Sequence, residues 1–135
     1  MAFPSVERTP DGRRVVVSRV VAADRDAVWE LLRDTERWPA WGPSVSDVRS
    51  TERVIDTGTT GEVQIAGGPW VPFEITACEN YRWAWRVGKV PATGHRVEDA
   101  SGGCRVVFEI PLVAAGYAVV CERALSRIDR LATQR

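Results

Sequence analysis

The sequence predicts an α+β domain in which an antiparallel sheet lays one apolar face against a long C-terminal helix. Three observations carry this. Strand-length segments separated by turn residues at short intervals occupy Val45 to Ile110, the pattern of a meander. Within them apolar and charged residues alternate with the period of two that belongs to a half-buried strand. After Pro111, Tyr117, Cys121, Ala124, Ile128 and Leu131 recur at spacings of four, three, four and three, a stripe along one face of a helix.

Taken in order, Val15 to Val21 is a β-branched run entered through the turn signal Pro10-Asp11-Gly12 and reads as the first long strand. Residues 1–12 form an N-terminal arm, in which Phe3 and Val6 either pair back as a hairpin or fray. Asp24 is placed to cap a short amphipathic helix from Arg25 to Asp34, with Val28, Leu31 and Leu32 at helical spacing and Trp29 widening the stripe. Thr35 is placed to cap one further turn, which Pro39 and Pro43 end near Trp41.

Six strands follow, over Val45–Val54, Gly61–Ala66, Val71–Cys78, Tyr81–Val87, Thr93–Asp99 and Cys104–Ile110, with a tight hairpin at Glu79-Asn80. Parity puts Val63, Ile65, Phe73, Ile75, Trp83, Trp85, Val87, His95, Val97, Val106, Phe108 and Ile110 on one face. Glu62, Glu74, Arg82, Arg86, Arg96, Glu98, Arg105 and Glu109 fall on the other. The rule stalls at Arg19, which shares parity with Val15, Val17 and Val21. Between Leu112 and Cys121 the helix is apolar almost all round, so that half is either buried on more than one side or borders a cavity.

Composition narrows the function. The 135 residues suit a single domain, and 18 basic side chains cancel 18 acidic ones, so no net field collects nucleic acid or an anionic membrane. The single histidine, His95, excludes a two-histidine metal centre, and the single lysine, Lys89, is the only amine nucleophile. Cys78, Cys104 and Cys121 are too far apart for a zinc knuckle and odd in number, so they read as reduced thiols. With no signal-peptide run and no membrane-length apolar stretch, a cytoplasmic location is expected, as is the absence of metal and cofactor.

The stretch Val17 to Leu32, continuing from Asp34 to Pro43, resembles the opening of the START/birch-pollen-allergen-like (SRPBCC) superfamily, most closely its polyketide cyclase/dehydrase and lipid-transport branch. Val28-Trp29 on the first helix and Trp38-Pro39-Ala40-Trp41-Gly42-Pro43 after it are the most specific elements. The hairpin Gly103-Cys104-Arg105-Val106-Val107-Phe108 is similar to the family's penultimate turn. Where the family has Ala-Pro at the first helix, this chain has Ala23-Asp24, which supplies a helix start by another means. The resemblance implies a helix-grip fold, a curved seven-stranded antiparallel sheet wrapped around the C-terminal helix and enclosing a hydrophobic cavity.

Such a cavity implies a small hydrophobic or aromatic molecule as partner, to a monomer or a homodimer. Candidate wall residues are Trp41, Trp70, Phe73, Ile75, Trp83, Trp85, His95, Phe108, Tyr117 and Cys121. Trp29, Trp38 and Trp41 also read as anchors of the short helices, and Trp70, beside Gly67-Gly68-Pro69, as either a gate or an exposed loop residue. Trp83 and Trp85 either fill the core or stack on a ligand. His95 is either a hydrogen-bonded core residue or the one ready general acid or base, with Tyr117 as a donor to a ligand carbonyl. Cyclisation or dehydration of a poly-carbonyl chain, carriage of a lipid, quinone or isoprenoid, and a co-chaperone-like interaction module are the readings this sequence leaves open.

Overall fold

A computed structural model describes residues 4–134. Its elements are β1 (Ser5–Thr9), β2 (Gly12–Val21), α1 (Arg25–Arg33), a 3-10 turn (Thr35–Arg37), α2 (Trp38–Trp41), β3 (Val45–Ser50), β4 (Thr60–Ile65), β5 (Trp70–Glu79), β6 (Arg82–Val87), β7 (Val90–Ala100), β8 (Gly103–Pro111), a second 3-10 segment (Leu112–Tyr117) and α3 (Ala118–Thr133). One antiparallel sheet runs in the order β1-β2-β8-β7-β6-β5-β4-β3. It has eight strands where seven were expected, because the arm before Pro10 pairs back on β2, with Ser5 opposite Val16 and Thr9 opposite Gly12. Phe3 lies outside the described residues.

The strand faces follow the parity rule. Val63, Phe73, Ile75, Trp83, Val97, Val106, Phe108 and Ile110 are buried on the inner face, where Cys121, Ala124, Leu125 and Ile128 of α3 join the same core. Arg19 shares that parity at the sheet margin and pairs there with Asp129 of α3, its Nε donating at 2.7 Å. Several boundaries shift. The β5–β6 turn is Asn80-Tyr81, both in the left-handed region at φ 52° and 61°, one residue later than expected. The segment after Ser50 leaves the sheet, and β7 begins at Val90 because Pro91 is tolerated within it. Asp34, and not Thr35, caps the 3-10 turn by accepting from the Glu36 N–H, while the buried Thr35 hydroxyl donates to the Arg53 carbonyl.

The end of α1 explains the tryptophans that follow it. A helix leaves its last carbonyls without intrahelical donors. Here the Asp34 N–H serves Glu30, the Ile55 N–H serves Arg33, the Trp38 indole serves Leu32 at 2.9 Å and the Trp41 indole serves Leu31 at 3.3 Å. Both indoles are thereby fixed in place while their rings turn toward the sheet.

The outer face is charged, yet it also has a buried layer. Val16, Val107 and Glu109 are buried there, and the β1–β2 hairpin reaches across it through Asp11 to Arg82 (2.8 Å) and Glu7 to Arg96 (3.3 Å). Glu109 accepts from Arg82 and Arg96, each at 2.7 Å. Burial opposes ionisation of Glu109, but the two guanidiniums outweigh it and hold its carboxyl below the usual range. Gly94 makes room for this cluster, since a Cβ there would lie 2.6 Å from the Glu109 Oε1.

Glu109→Ala would leave two partly buried guanidiniums facing each other, which should cost about 3 kcal/mol. Urea unfolding at pH 7 would test this. A midpoint no lower than that of a Glu62→Ala control, at a more exposed position, would refute a structural role for the cluster.

Candidate functional site

A cavity of about 320 Å³ opens between the inner face of the sheet, α2 and the start of α3. The size sits at the low end of the roughly 300–1,000 Å³ of small-molecule sites. Its floor is the aromatic surface that β6, β7 and β8 present at matching register, with Trp83 opposite His95 and His95 opposite Phe108. One side is made by Trp38 and Trp41. The mouth is framed by Gly42–Val45, the start of β7 and the 3-10 segment before α3.

Of the ten wall residues expected from the sequence, Trp41, Trp83, Trp85, His95, Phe108, Tyr117 and Cys121 line this space. Trp70, Phe73 and Ile75 do not. Trp70 is out of phase with Phe73 on β5, so it lies on the outer face with the Arg49 guanidinium 3.9 Å over its ring. It is no gate. Phe73 faces inward, but its ring packs against Trp38 and Trp85 and fills the part of the core beside the cavity, together with Ile75. Trp38, Ser44 and Thr93 line the cavity and were not among the candidates. The regular spacing of Trp38 and Trp41 on one short turn was the available signal for the first.

Trp83 lies between two rings, stacked on Trp38 at 5.2 Å and 7° and on His95 at 3.9 Å and 23°. Trp85 meets Trp83 edge-on. The polar atoms beneath this surface form a directional chain. The Trp85 indole donates to the Thr93 hydroxyl at 3.1 Å, and Thr93 Oγ1 lies 3.0 Å from His95 Nε2. His95 Nδ1 lies 3.4 Å from the Trp83 carbonyl, which only accepts, so Nδ1 carries the proton and Nε2 receives the Thr93 O–H.

His95 is 2% exposed, and desolvation is the main reason its pKa falls from 6.5 to about 3. It is neutral, with both nitrogens engaged. Burial likewise raises Cys121, to about 12, and partial burial raises Tyr117. At the mouth Tyr117 and Ser44 share a hydroxyl–hydroxyl hydrogen bond that ties the 3-10 segment to the loop after α2. Among the described residues no aspartate, glutamate, lysine or arginine lines the cavity.

The apolar run before Cys121 borders the cavity through Val113, Ala114, Tyr117 and Val120. Its other side is open, with Leu112 and Val119 exposed. No helix among the described residues is long and apolar enough to cross a membrane.

A family profile described as polyketide cyclase / dehydrase and lipid transport matches residues 12–133. An uncharacterized protein of Mycobacterium tuberculosis is 28% identical over 107 residues, which cover 73% of this chain and 64% of that protein. The chain therefore spans less than two thirds of the length of the curated relatives it matches. Among solved structures, Ara h 8.0201 superposes with a TM-score of 0.67 at 15% identity, over 89% of this chain and 97% of that one. The di-domain ARO/CYC StfQ from the steffimycin biosynthetic pathway gives 0.66 at 12% identity, over 89% of this chain and 50% of that one. At these identities the likeness is one of fold, and the fold is the helix grip.

The histidine yields a test. An unfolded chain protonates His95 below about pH 6.5, whereas the folded chain keeps it neutral down to about 3. Its contribution is therefore present above pH 6.5 and is lost as pH falls toward 3. Between pH 7.5 and 5.0 this amounts to roughly 2 kcal/mol, at 1.36 kcal/mol per unit. Urea midpoints across that window should fall for the wild type and stay nearly level for His95→Gln. Equal slopes would contradict the buried neutral imidazole.

Proposed function

We propose, since the chain belongs to the polyketide cyclase/dehydrase and lipid-transport family, that its hydrophobic cavity sequesters a small uncharged apolar or aromatic molecule, and that burial rather than bond-making is its principal work. One observation carries this reading. Among the described residues the cavity is walled by aromatic and aliphatic side chains with no ionised group, while its histidine is neutral with both ring nitrogens engaged.

Transfer of apolar surface from water is worth about 25 cal/mol per Å² and needs no directional partner. A site of this composition therefore gains affinity from contact area. An ionised carboxylate or amine in the same place would lose its hydration with no counter-charge to replace it. Flat aromatic walls favour a ring over a chain of the same area, because stacked and edge-on contacts add to simple burial.

Acid–base chemistry on a poly-carbonyl chain would draw on His95 and Tyr117. It would require the imidazole to exchange the Thr93 hydroxyl for a substrate, and its low pKa makes it a poor proton store near neutrality. Sequestration asks for neither change. Carriage or sensing of a neutral lipid, quinone or isoprenoid accords with that chemistry.

Titration with phenanthrene and with farnesol, followed by tryptophan emission, should give saturable binding of at least one. Ala92→Phe, which projects a ring into the cavity from β7, should weaken it tenfold or more. Affinity should be level between about pH 5 and 9, because His95 titrates near 3, Cys121 near 12 and Tyr117 above its ordinary value. A lack of saturable binding by any apolar probe, or an affinity that follows a group titrating near neutrality, would overturn the reading.

A further inference from the structure

We propose that the indole N–H of Trp83 donates a hydrogen bond to a ligand carbonyl, and that the cavity accordingly selects flat, uncharged ketones or quinones. The proposal rests on the reading of the cavity as a binding site and gives its ligand a chemical class.

Four tryptophans line the cavity, and three of their indole N–H groups are spent inside the protein. Trp38 donates to Leu32, Trp41 to Leu31 and Trp85 to Thr93. Trp83 Nε1 differs. Its residue is fully buried, and among the described residues this is the one buried side-chain polar atom without a hydrogen-bond partner. A buried N–H left unmade costs about 1–3 kcal/mol, and such groups are rare in native proteins. A partner supplied from outside the chain resolves the deficit; Trp83 is among the residues around the cavity, and its indole nitrogen, closed to water as the rings stand, is met by a ligand that parts the neighbouring rings.

The neighbouring groups define what that partner is. His95 Nδ1–H is committed to the Trp83 carbonyl, and His95 Nε2 is filled by the Thr93 O–H. The Thr93 oxygen already accepts from Trp85. At this end of the cavity one donor is free, while the ring acceptor is taken. A ligand hydroxyl or amide N–H would bring a donor of its own in need of an acceptor, and a carboxylate would bring an unpaired charge to a wall with no cation. A carbonyl oxygen accepts and donates nothing, so it matches the vacancy without creating another.

Shape points the same way. Trp83 shares its surroundings with the rings of Trp38, Trp85, His95 and Phe108, and the resulting walls are planar. A carbonyl within a fused-ring system can place its ring edge among these walls and its oxygen at the indole.

The test uses 9-fluorenone and fluorene, which differ at the bridging carbon, as a carbonyl or a methylene. For each protein the ratio of the two affinities is read by tryptophan emission. Trp83→Phe should reduce the fluorenone-to-fluorene preference about tenfold relative to wild type, the worth of one hydrogen bond of about 1–1.5 kcal/mol. A second readout needs no variant. In wild type, the Trp83 indole ¹H–¹⁵N resonance, assigned through its backbone, should move downfield with saturating fluorenone and much less with fluorene.

Saturable binding of both compounds with an unmoved Trp83 resonance, or with the same ratio in a folded Trp83→Phe variant, would overturn the Trp83 assignment and leave the binding site standing. Binding of neither fluorenone, fluorene, phenanthrene nor farnesol would remove the binding reading and this proposal together.

Discussion

The contact on which the other parts depend is the one Trp38 makes with both ends of its surroundings. Its indole N–H closes the carboxyl end of α1 at Leu32, and its ring face lies on Trp83 in the middle of the sheet. Either contact alone would position a side chain. Together they fix the distance from helix end to sheet, and with it the height of the cavity beside them. Trp41 repeats the device three residues later, donating to Leu31 and presenting its ring to His95 and Phe108. Pro39 suits this turn because the first turn of a helix has no use for its missing N–H. The anchoring and wall-forming roles of these tryptophans are therefore one arrangement, with polar atoms turned to the helix and π faces to the space.

The sheet keeps its charges on one side. Arg82, Arg96, Glu98, Arg105 and Glu109 join in a network on the outer face, while Trp83, His95, Val97, Val106 and Phe108 alternate with them on the inner face. His95 thus sits one strand away from the Glu109 carboxylate on one side and the Arg82 guanidinium on the other, whose influences on it oppose each other, Glu109 raising its pKa and Arg82 lowering it. Desolvation then decides the outcome, and the imidazole stays neutral. A polar-looking residue becomes part of an uncharged wall because burial outweighs the opposed influences of the nearby ions.

Parity made the two faces legible in the sequence, and the α3 stripe from Cys121 to Ile128 could be read from its spacing. Depth along a face could not. Phe73 and Ile75 share the inner face with Trp83 and Trp85, yet Trp38 packs on Phe73 while the space beside the second pair stays open. That division depends on where a short helix ends, which periodicity does not encode. The β5–β6 turn was displaced by one residue because Tyr81 adopts a left-handed conformation that bulky side chains seldom take. Trp70 was readable in principle. Counting back from Phe73 puts it on the outer face, but the neighbouring glycines and proline drew attention to the loop instead of the phase. The burial of Glu109 required knowing that β1 exists and folds back, and its short polar sequence carries little strand signal.

The apolar segment from Leu112 to Tyr117 shows what the fold sacrifices to keep an entrance. Six residues without a buried member, kinked at Ala114, cap the cavity from the mouth side and leave Leu112 and Val113 in solvent. A helix continuous with α3 could have turned those side chains onto the sheet, closing the space and recovering their burial energy. The 3-10 geometry instead holds the segment across the rim, where the Tyr117–Ser44 hydroxyls supply its hydrogen bond to the opposite loop. One hydrogen bond between partly exposed groups contributes about 0.5–1.5 kcal/mol, small beside the several tryptophan contacts that fix α2. The two sides of the mouth are therefore held unequally. The wall built by Trp38 and Trp41 is tied down by two indole hydrogen bonds and by ring contacts, and the rim built by residues 112–117 is the more weakly held side.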